Sequence, residues 1–352
     1  MIAVQNVTHI NHLKCANVLL VKSSIAESPL ITKPQLSKKL NLSLVTVNKI
    51  VDELVISGEI LDMGQTDSTG GRKAKLYKLN KDHKSILTVL IRNDIVCLAI
   101  INLIGEVCYE TTFPYNSDWI CKLTEYINIE DLPPVAYVGV AVPGTVHAGV
   151  IKNAPSMPGL EELHLEEILK RELKLPVFIE NDINIAALGI HRMGGNDTNN
   201  MVLIYVNKGV GMGIIIQGQI YQSVRNFAGE LAYMHLGDDL YFWEKNIEQY
   251  ILHCIKEGEI ARALDILSKI IANVCCVLDP EIVVIDSPIL KQEYISIIET
   301  GIIKIIGKDY LPNLELSSFT EEVYYKGLYF LWYMEKENLH YSSLQNYIAN
   351  VT

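Results

Sequence analysis

Apolar positions along the first eighty residues change spacing once, from a helical period to a strand period. Within His9–Ser23, Ile10, Leu13, Val18 and Leu19 predict a first helix, and Pro29 ends that stretch. Thr32 then opens T-K-P-Q, which has the spacing of a capping box with Pro34 in the first turn, so a second helix is expected to about Leu40. Asn41-Leu42-Ser43 makes a turn, with Ser43 placed to cap a third helix. Val47, Ile50, Val51 and Leu54 share one face of that helix, and Gly58 ends it. Glu59–Met63 reads as a strand, Gly64–Gly71 as a loop of small polar residues, and Ala74–Leu79 alternates as a second strand.

From Ile86 onward, strand-like and helical runs alternate, which predicts an α/β body. Ile86–Ile101 with Gly105–Thr112 reads as one hairpin, and Met201–Gln217 with Gln219–Tyr221 as another. Ala136–Val142, Val177–Ile179 and Leu278–Ile285 read as buried strands. Two hairpin starts about 110 residues apart point to a duplicated architecture rather than one doubly wound sheet. The expected division is residues 1–84, then 85–198 completed by a C-terminal helix at 322–345, then 199–321.

Charge changes the picture only when it is split. The 352 residues hold 30 basic and 41 acidic side chains, a net charge of −11. Residues 1–84 contain 12 of the basic and 7 of the acidic ones, leaving 18 and 34 in the remainder. A basic head on an acidic body fits nucleic acid at one end only. No apolar run is long enough for a membrane span, and the N-terminus lacks a signal-peptide layout, so a cytoplasmic protein is expected. Seven scattered cysteines without a C-x-x-C pair read as free thiols.

In the head, a short helix, a tight turn and a second helix would present Ser43, Thr46, Asn48 and Lys49 outward. Small polar side chains at the start of such a helix can reach base edges, and lysines hold phosphates. A three-helix protein-interaction module would show the same helix spacing. The hairpin that follows separates the two, because Gly70-Gly71 precedes Arg72 and Lys73, where a wing would meet DNA. The segments LSKKLNLSLVTVNKIVDELVISGEI and STGGRKAKLYKL resemble the repressor-type winged helix of the ROK family, bacterial sugar kinases and sugar-responsive repressors.

Four further segments are similar to that family: GVAVPGTVHAGVIKNAPSMPGL, FIENDINIAALG, GVGMGIIIQGQIY and FAGELAYM. The resemblance implies a winged helix-turn-helix followed by a two-lobed actin-like or hexokinase-like ATPase fold. It also implies a sugar site in which Asp182 stands at the position of the catalytic base and Asn181 binds the sugar. Glu230, Glu248, Asn153 and Gly159 would line the same site, with Tyr233 where the family has a histidine. Asp182 would alternatively serve as the cap of a helix over Ile183–Met193.

The family pattern breaks in three nucleotide elements. Leu90–Ile95, L-I-R-N-D-I, has none of the glycines of D-x-G-x-T; Lys208 stands where the second hairpin has threonine; and Asp286-Ser287-Pro288 replaces a glycine-rich stretch. The zinc cysteines are gone, and His235 by itself cannot make a four-ligand site. The expectation is therefore a transcription regulator with no cofactor and no metal. Its partners would be operator DNA, a sugar or sugar-derivative effector, and a second copy in a dimer or tetramer. An active ATP-dependent sugar kinase with a regulatory head, and a ligand-independent dimeric DNA-binding protein, are the alternatives.

Overall fold

The computed structural model describes residues 17–18, 20–65, 74–92, 94–154, 157–194, 198–236 and 246–333. The head begins with helical residues 20–26, followed by β1 (Ile31–Thr32), α1 (Lys33–Leu40), α2 (Leu44–Ile56), β2 (Ile60–Gln65) and β3 (Lys75–Leu79). Thr32 caps α1 with both halves of the capping box in place: its side chain accepts from Gln35 N–H, and Gln35 Oε1 accepts from Thr32 N–H at 2.8 Å. Asn41 ends the helix at φ 51°, a left-handed turn that its short polar side chain tolerates. Ser43 caps α2, accepting from Thr46 N–H at 3.1 Å. Leu36, Val47, Ile50, Val51 and Leu54 bury the facing sides of the two helices. A three-stranded sheet in the order β1-β3-β2 completes the unit, with antiparallel pairing throughout.

Two sheets of five strands form the body. The first is built from β4 (Ser85–Arg92), β5 (Ile95–Asn102), β6 (Val107–Pro114), β7 (Val135–Val142) and β10 (Val177–Asn181). Helix α3 (Trp119–Ile127), the hairpin β8 (Thr145–His147) and β9 (Val150–Lys152), and α4 (Leu165–Leu173) connect them. After α5 (Asp182–Met193), the second sheet takes β11 (Met201–Val206), β12 (Val210–Ile216), β13 (Gln219–Ile220), β14 (Ile282–Asp286) and β15 (Asn313–Ser317). Its helices are α6 (Ile247–Lys256), α7 (Ile260–Leu278) and α8 (Ile295–Ile306), and the described chain closes on α9 (Glu321–Trp332).

The strand orders are β10-β7-β4-β5-β6 and β13-β12-β11-β14-β15. Each is an antiparallel three-strand meander extended by two parallel strands, so the duplication exists as topology. Each expected hairpin is in fact a meander. Ile86–Ile101 divides into β4 and β5 around residues 93–94, and Met201–Gln217 divides into β11 and β12 around 207–209. Every residue of β11 is buried, so an uninterrupted apolar run hid the turn. Leu278 also leaves the expected strand and ends α7, and Asp279 turns the chain at φ 44°.

Alternation along each strand separates the cores. Leu203 and Tyr205 face a central layer, whereas Val202, Ile204 and Val206 face α6 and α7. The central layer contains α5 and α9, packed on each other and between the two sheets. Their close approach depends on small residues. A Cβ at Gly189 would lie 2.1 Å from the Val323 carbonyl oxygen, and one at Gly327 would lie 2.1 Å from that of Ile185.

Candidate functional site: an acid-lined cleft and a basic head

The strand-to-helix step β10–α5 carries Asn181 and Asp182. Asn181, not Asp182, is the helix cap: its Oδ1 accepts from Ile183 and Asn184 N–H at 2.9 and 3.0 Å. Its Nδ2 donates to the Gly144 carbonyl at 2.9 Å, tying the cap to the Pro143-Gly144 turn. Asp182 is instead the first helical residue and is buried, with Oδ1 accepting from Ile183 N–H at 2.9 Å. Capping falls to the neighbour because Asn181 has the extended backbone that a cap requires, φ −61° and ψ 137°. Burial pushes the Asp182 carboxyl up to about 6, although the charge of Arg92 pulls the other way.

Across the cleft, Glu230 accepts from Asn153 Nδ2 at 2.8 Å, and Tyr233 Oη donates to Asn153 Oδ1 at 3.0 Å. Asn153 holds that position with φ 51°. Glu230 is pushed up to about 7 by burial, then by the charges of Glu248 and Asp182, against the hydrogen bond from Asn153. Glu248 lies on α6 and accepts from Val210 N–H at 3.3 Å, and burial raises its carboxyl too. Asn153, Glu230 and Tyr233 are thus joined by direct hydrogen bonds, with Asp182 and Glu248 close enough to act on Glu230 by charge. Gly159 is exposed in a turn over 158–160, with nothing within 4 Å of the position its Cβ would take. Tyr233 is 58% exposed, a side chain at the mouth of the cleft.

Arg92 occupies the space between the sheets. It donates to Tyr324 Oη on α9 at 2.9 Å and to Tyr205 Oη on β11, and its guanidinium lies 5.3 Å from the Tyr324 ring centroid and 5.1 Å from that of Tyr205. Burial opposes its charge, but the tyrosine oxygens and Asp182 more than offset this and raise its pKa further. The adjoining cavity, about 250 Å³, is lined by Arg92, Tyr205, Asn207, Asp286, Ser318 and Phe319. It brings together Leu90, Arg92 and Ile95 with Asn207, Asp286 and Pro288, residues in or beside the segments that the family resemblance marks as altered. Sequence reasoning saw missing glycines in Leu90–Ile95; the role of Arg92 as a tie between β4, β11 and α9 needed the fold.

The glycines of the second hairpin have packing roles. A Cβ at Gly213 would lie 2.7 Å from Ala187 Cβ and from the Ile183 carbonyl oxygen, and one at Gly209 would lie 2.9 Å from Glu248 Oε1. Among the described residues no group of three or more histidine, cysteine or acidic side chains could hold a metal, and His235 is exposed.

In the head, Lys49 is exposed on α2, and Thr46 and Asn48 flank it half-buried. Ser43 lies at the helix start, its hydroxyl 2.8 Å from that of Thr46. Arg72 and Lys73 lie outside the described residues. Val45, 78% exposed, was missed; a helical projection of α2 would have placed it on the stripe of Lys49.

Two like-ordered sheets, with a pair of packed helices between them and Asp182, Glu230 and Glu248 near enough to interact by charge, define a two-lobed α/β fold. A ROK hexokinase from Thermus thermophilus shares that fold, with a TM-score of 0.57 at 17% identity over 72% of this chain and 99% of that one. Residues 96–254 match the family model of the ROK family. A ROK family transcriptional regulator, a homolog of the E. coli MLC protein, superposes with a TM-score of 0.66 at 21% identity, covering 91% of this chain and 98% of that one. The xylose repressor of Caldicellulosiruptor bescii is 28% identical over 239 residues, 63% of this chain and 60% of the relative. The match thus spans about 60% of that relative's length. Among the described residues no helix is long and apolar enough to cross a membrane.

Proposed function

We propose that this chain is a sugar-responsive DNA-binding repressor whose kinase-like body senses a sugar and does not phosphorylate it. The observation that carries the reading is Arg92. Its guanidinium stands between Tyr205 and Tyr324 where the family resemblance places nucleotide, while the polar cleft of Asn153, Glu230, Asp182 and Glu248 stays assembled beside it. The adjoining cavity, about 250 Å³, is below the ~300–1,000 Å³ usual for small-molecule sites. Relatives named as xylose repressors support the repressor assignment and make pentoses the first sugars to test. Acidic and amide side chains suit a polyol because they accept from and donate to adjacent hydroxyls.

The head then acts as a winged helix-turn-helix, with α2 as the recognition helix and the β2–β3 hairpin as the wing. Ser43, Thr46, Asn48 and Lys49, with Arg72 and Lys73, are the proposed DNA contacts. Residues 1–84 form that unit, 85–198 with the C-terminal helix the first lobe, and 199–321 the second. The packing of α9 on β4 and β7 supports assigning that helix to the first lobe. Sugar binding would favour one lobe arrangement and so change the spacing of two heads in a dimer.

Calorimetric titration with pentoses, hexoses, amino sugars and their phosphates tests the sensor. Binding by one of them, lost in Glu230→Gln, is the expected result, and no binding by any overturns the effector assignment. One observation favours the kinase alternative: Asp182 is retained, buried, with a carboxyl near 6. A coupled ADP-release assay decides it, because turnover abolished by Asp182→Asn would establish an enzyme.

A further inference from the structure

The outward stripe of α2 has an unexpected composition. Buried Val47, Ile50, Val51 and Leu54 fix the inward side, so helical periodicity puts Val45, Lys49, Asp52 and Ile56 opposite them. Val45 is 78% and Ile56 is 87% exposed, and no described residue covers either. Lys49 follows Val45 by one turn, about 6 Å along the axis. The single acid on the stripe, Asp52, is held by Lys33 at 2.5 Å, so its charge is matched within the head. Lys38 and Lys49 are exposed and form no ion pair with a described residue. An exposed apolar side chain one helical turn from a lysine that has no ion-pair partner among the described residues fits one partner above others: a polyanion that also offers methyl groups.

We infer that Val45 reads the 5-methyl group of a thymine in the major groove, making it a specificity-determining contact of the head. The inference rests on the DNA-binding reading above. Residues at the start of a recognition helix reach base edges, and thymine is the only base with an apolar group in the major groove. Val45 is the second residue of α2, whereas Ile56 is its last, about 16 Å further along. A protein partner laid along the stripe would cover Ile56 together with Val45, whereas a major groove entered by the helix start engages Val45 and leaves Ile56 free.

The test uses the full chain and a duplex enriched from a random DNA library by that chain. Each thymine is then replaced singly with deoxyuridine, which keeps the base pair and removes only the methyl. At one or two positions the replacement should weaken binding about fourfold, the equivalent of roughly 0.8 kcal/mol for a buried methyl. Val45→Ala should weaken binding to the thymine duplex by a similar factor and respond no further to deoxyuridine there. Ile56→Ala should keep the full response, and an unchanged melting temperature of each variant confirms folding. A duplex in which no thymine senses loss of its methyl, or a Val45→Ala protein that still discriminates, overturns the inference. Failure to enrich any duplex overturns the DNA-binding reading itself, a different outcome from the first two.

Discussion

The Arg92 guanidinium donates from both terminal nitrogens to phenol oxygens, one on β11 and one on α9, and so ties the two sheets and the helix together. Arg92→Ala would leave Asp182 buried without its compensating charge and Tyr205 and Tyr324 without a shared donor. We expect a loss of roughly 2–4 kcal/mol in urea unfolding, with the Asp182 carboxyl moving further up. Glu230 predicts a pH dependence whose sign follows from its upward shift. Its ordinary value is 4.5 and its value in the fold about 7, so between the two the folded chain retains a proton the unfolded chain has released. Stability of the ligand-free protein therefore falls as pH rises through that window and levels off above it. Glu230→Gln should flatten the profile and gain about 1–2 kcal/mol at pH 8, a figure reduced for the partial exposure of the group. Thermal melts from pH 4.5 to 8 check it; a profile unchanged by the substitution would refute the assignment.

Elements are held by local rules in the head and by close approach in the body. Thr32→Ala removes one half of a capping box and should cost about 1 kcal/mol, read as a lower urea midpoint with an unchanged slope. Gly213→Ala drives a methyl into Ala187 and the Ile183 carbonyl, at 2.7 Å from each, and should cost about 1–3 kcal/mol. A stable Gly213→Ala protein would show that α5 can move away from β12. The capping box, the Asn41 turn and the Ser43 cap were legible because each depends on residues within four positions of one another. The two meander turns were not. Arg92 pairs with Ile95, and Val206 with Val210, across turns inside apolar runs, and burial of both sheet faces removed the alternation that marks strand ends.

At the scale of the molecule, the basic head and acidic body predict binding to DNA by one end and a steep response to salt. The affinity of the full chain for its selected duplex should fall linearly with salt on logarithmic axes, and Lys49→Ala should reduce the slope by about 1. Anisotropy titrations at several salt concentrations measure this, and a slope unaffected by the substitution would remove Lys49 from the interface. The same charge division keeps the lobes, with 18 basic and 34 acidic residues in 85–352, off the phosphates.

Sequence alone determined the helix caps of the head, the α/β character, the charge division and the candidate acids, because these depend on residue type, period and neighbours in the chain. The resemblance to the ROK family led us to expect three altered nucleotide segments. Only the tertiary structure decided which side chains those segments meet. Tyr205 and Tyr324 lie 113 and 232 positions from Arg92, and the three meet because α9 packs on β4 while β11 faces it from the second sheet. The coupling of Asp182, Glu230 and Glu248, and the packing role of Gly213, arise in the same way. Burial and charge act through space, and chain spacing does not encode which distant side chains the fold brings together.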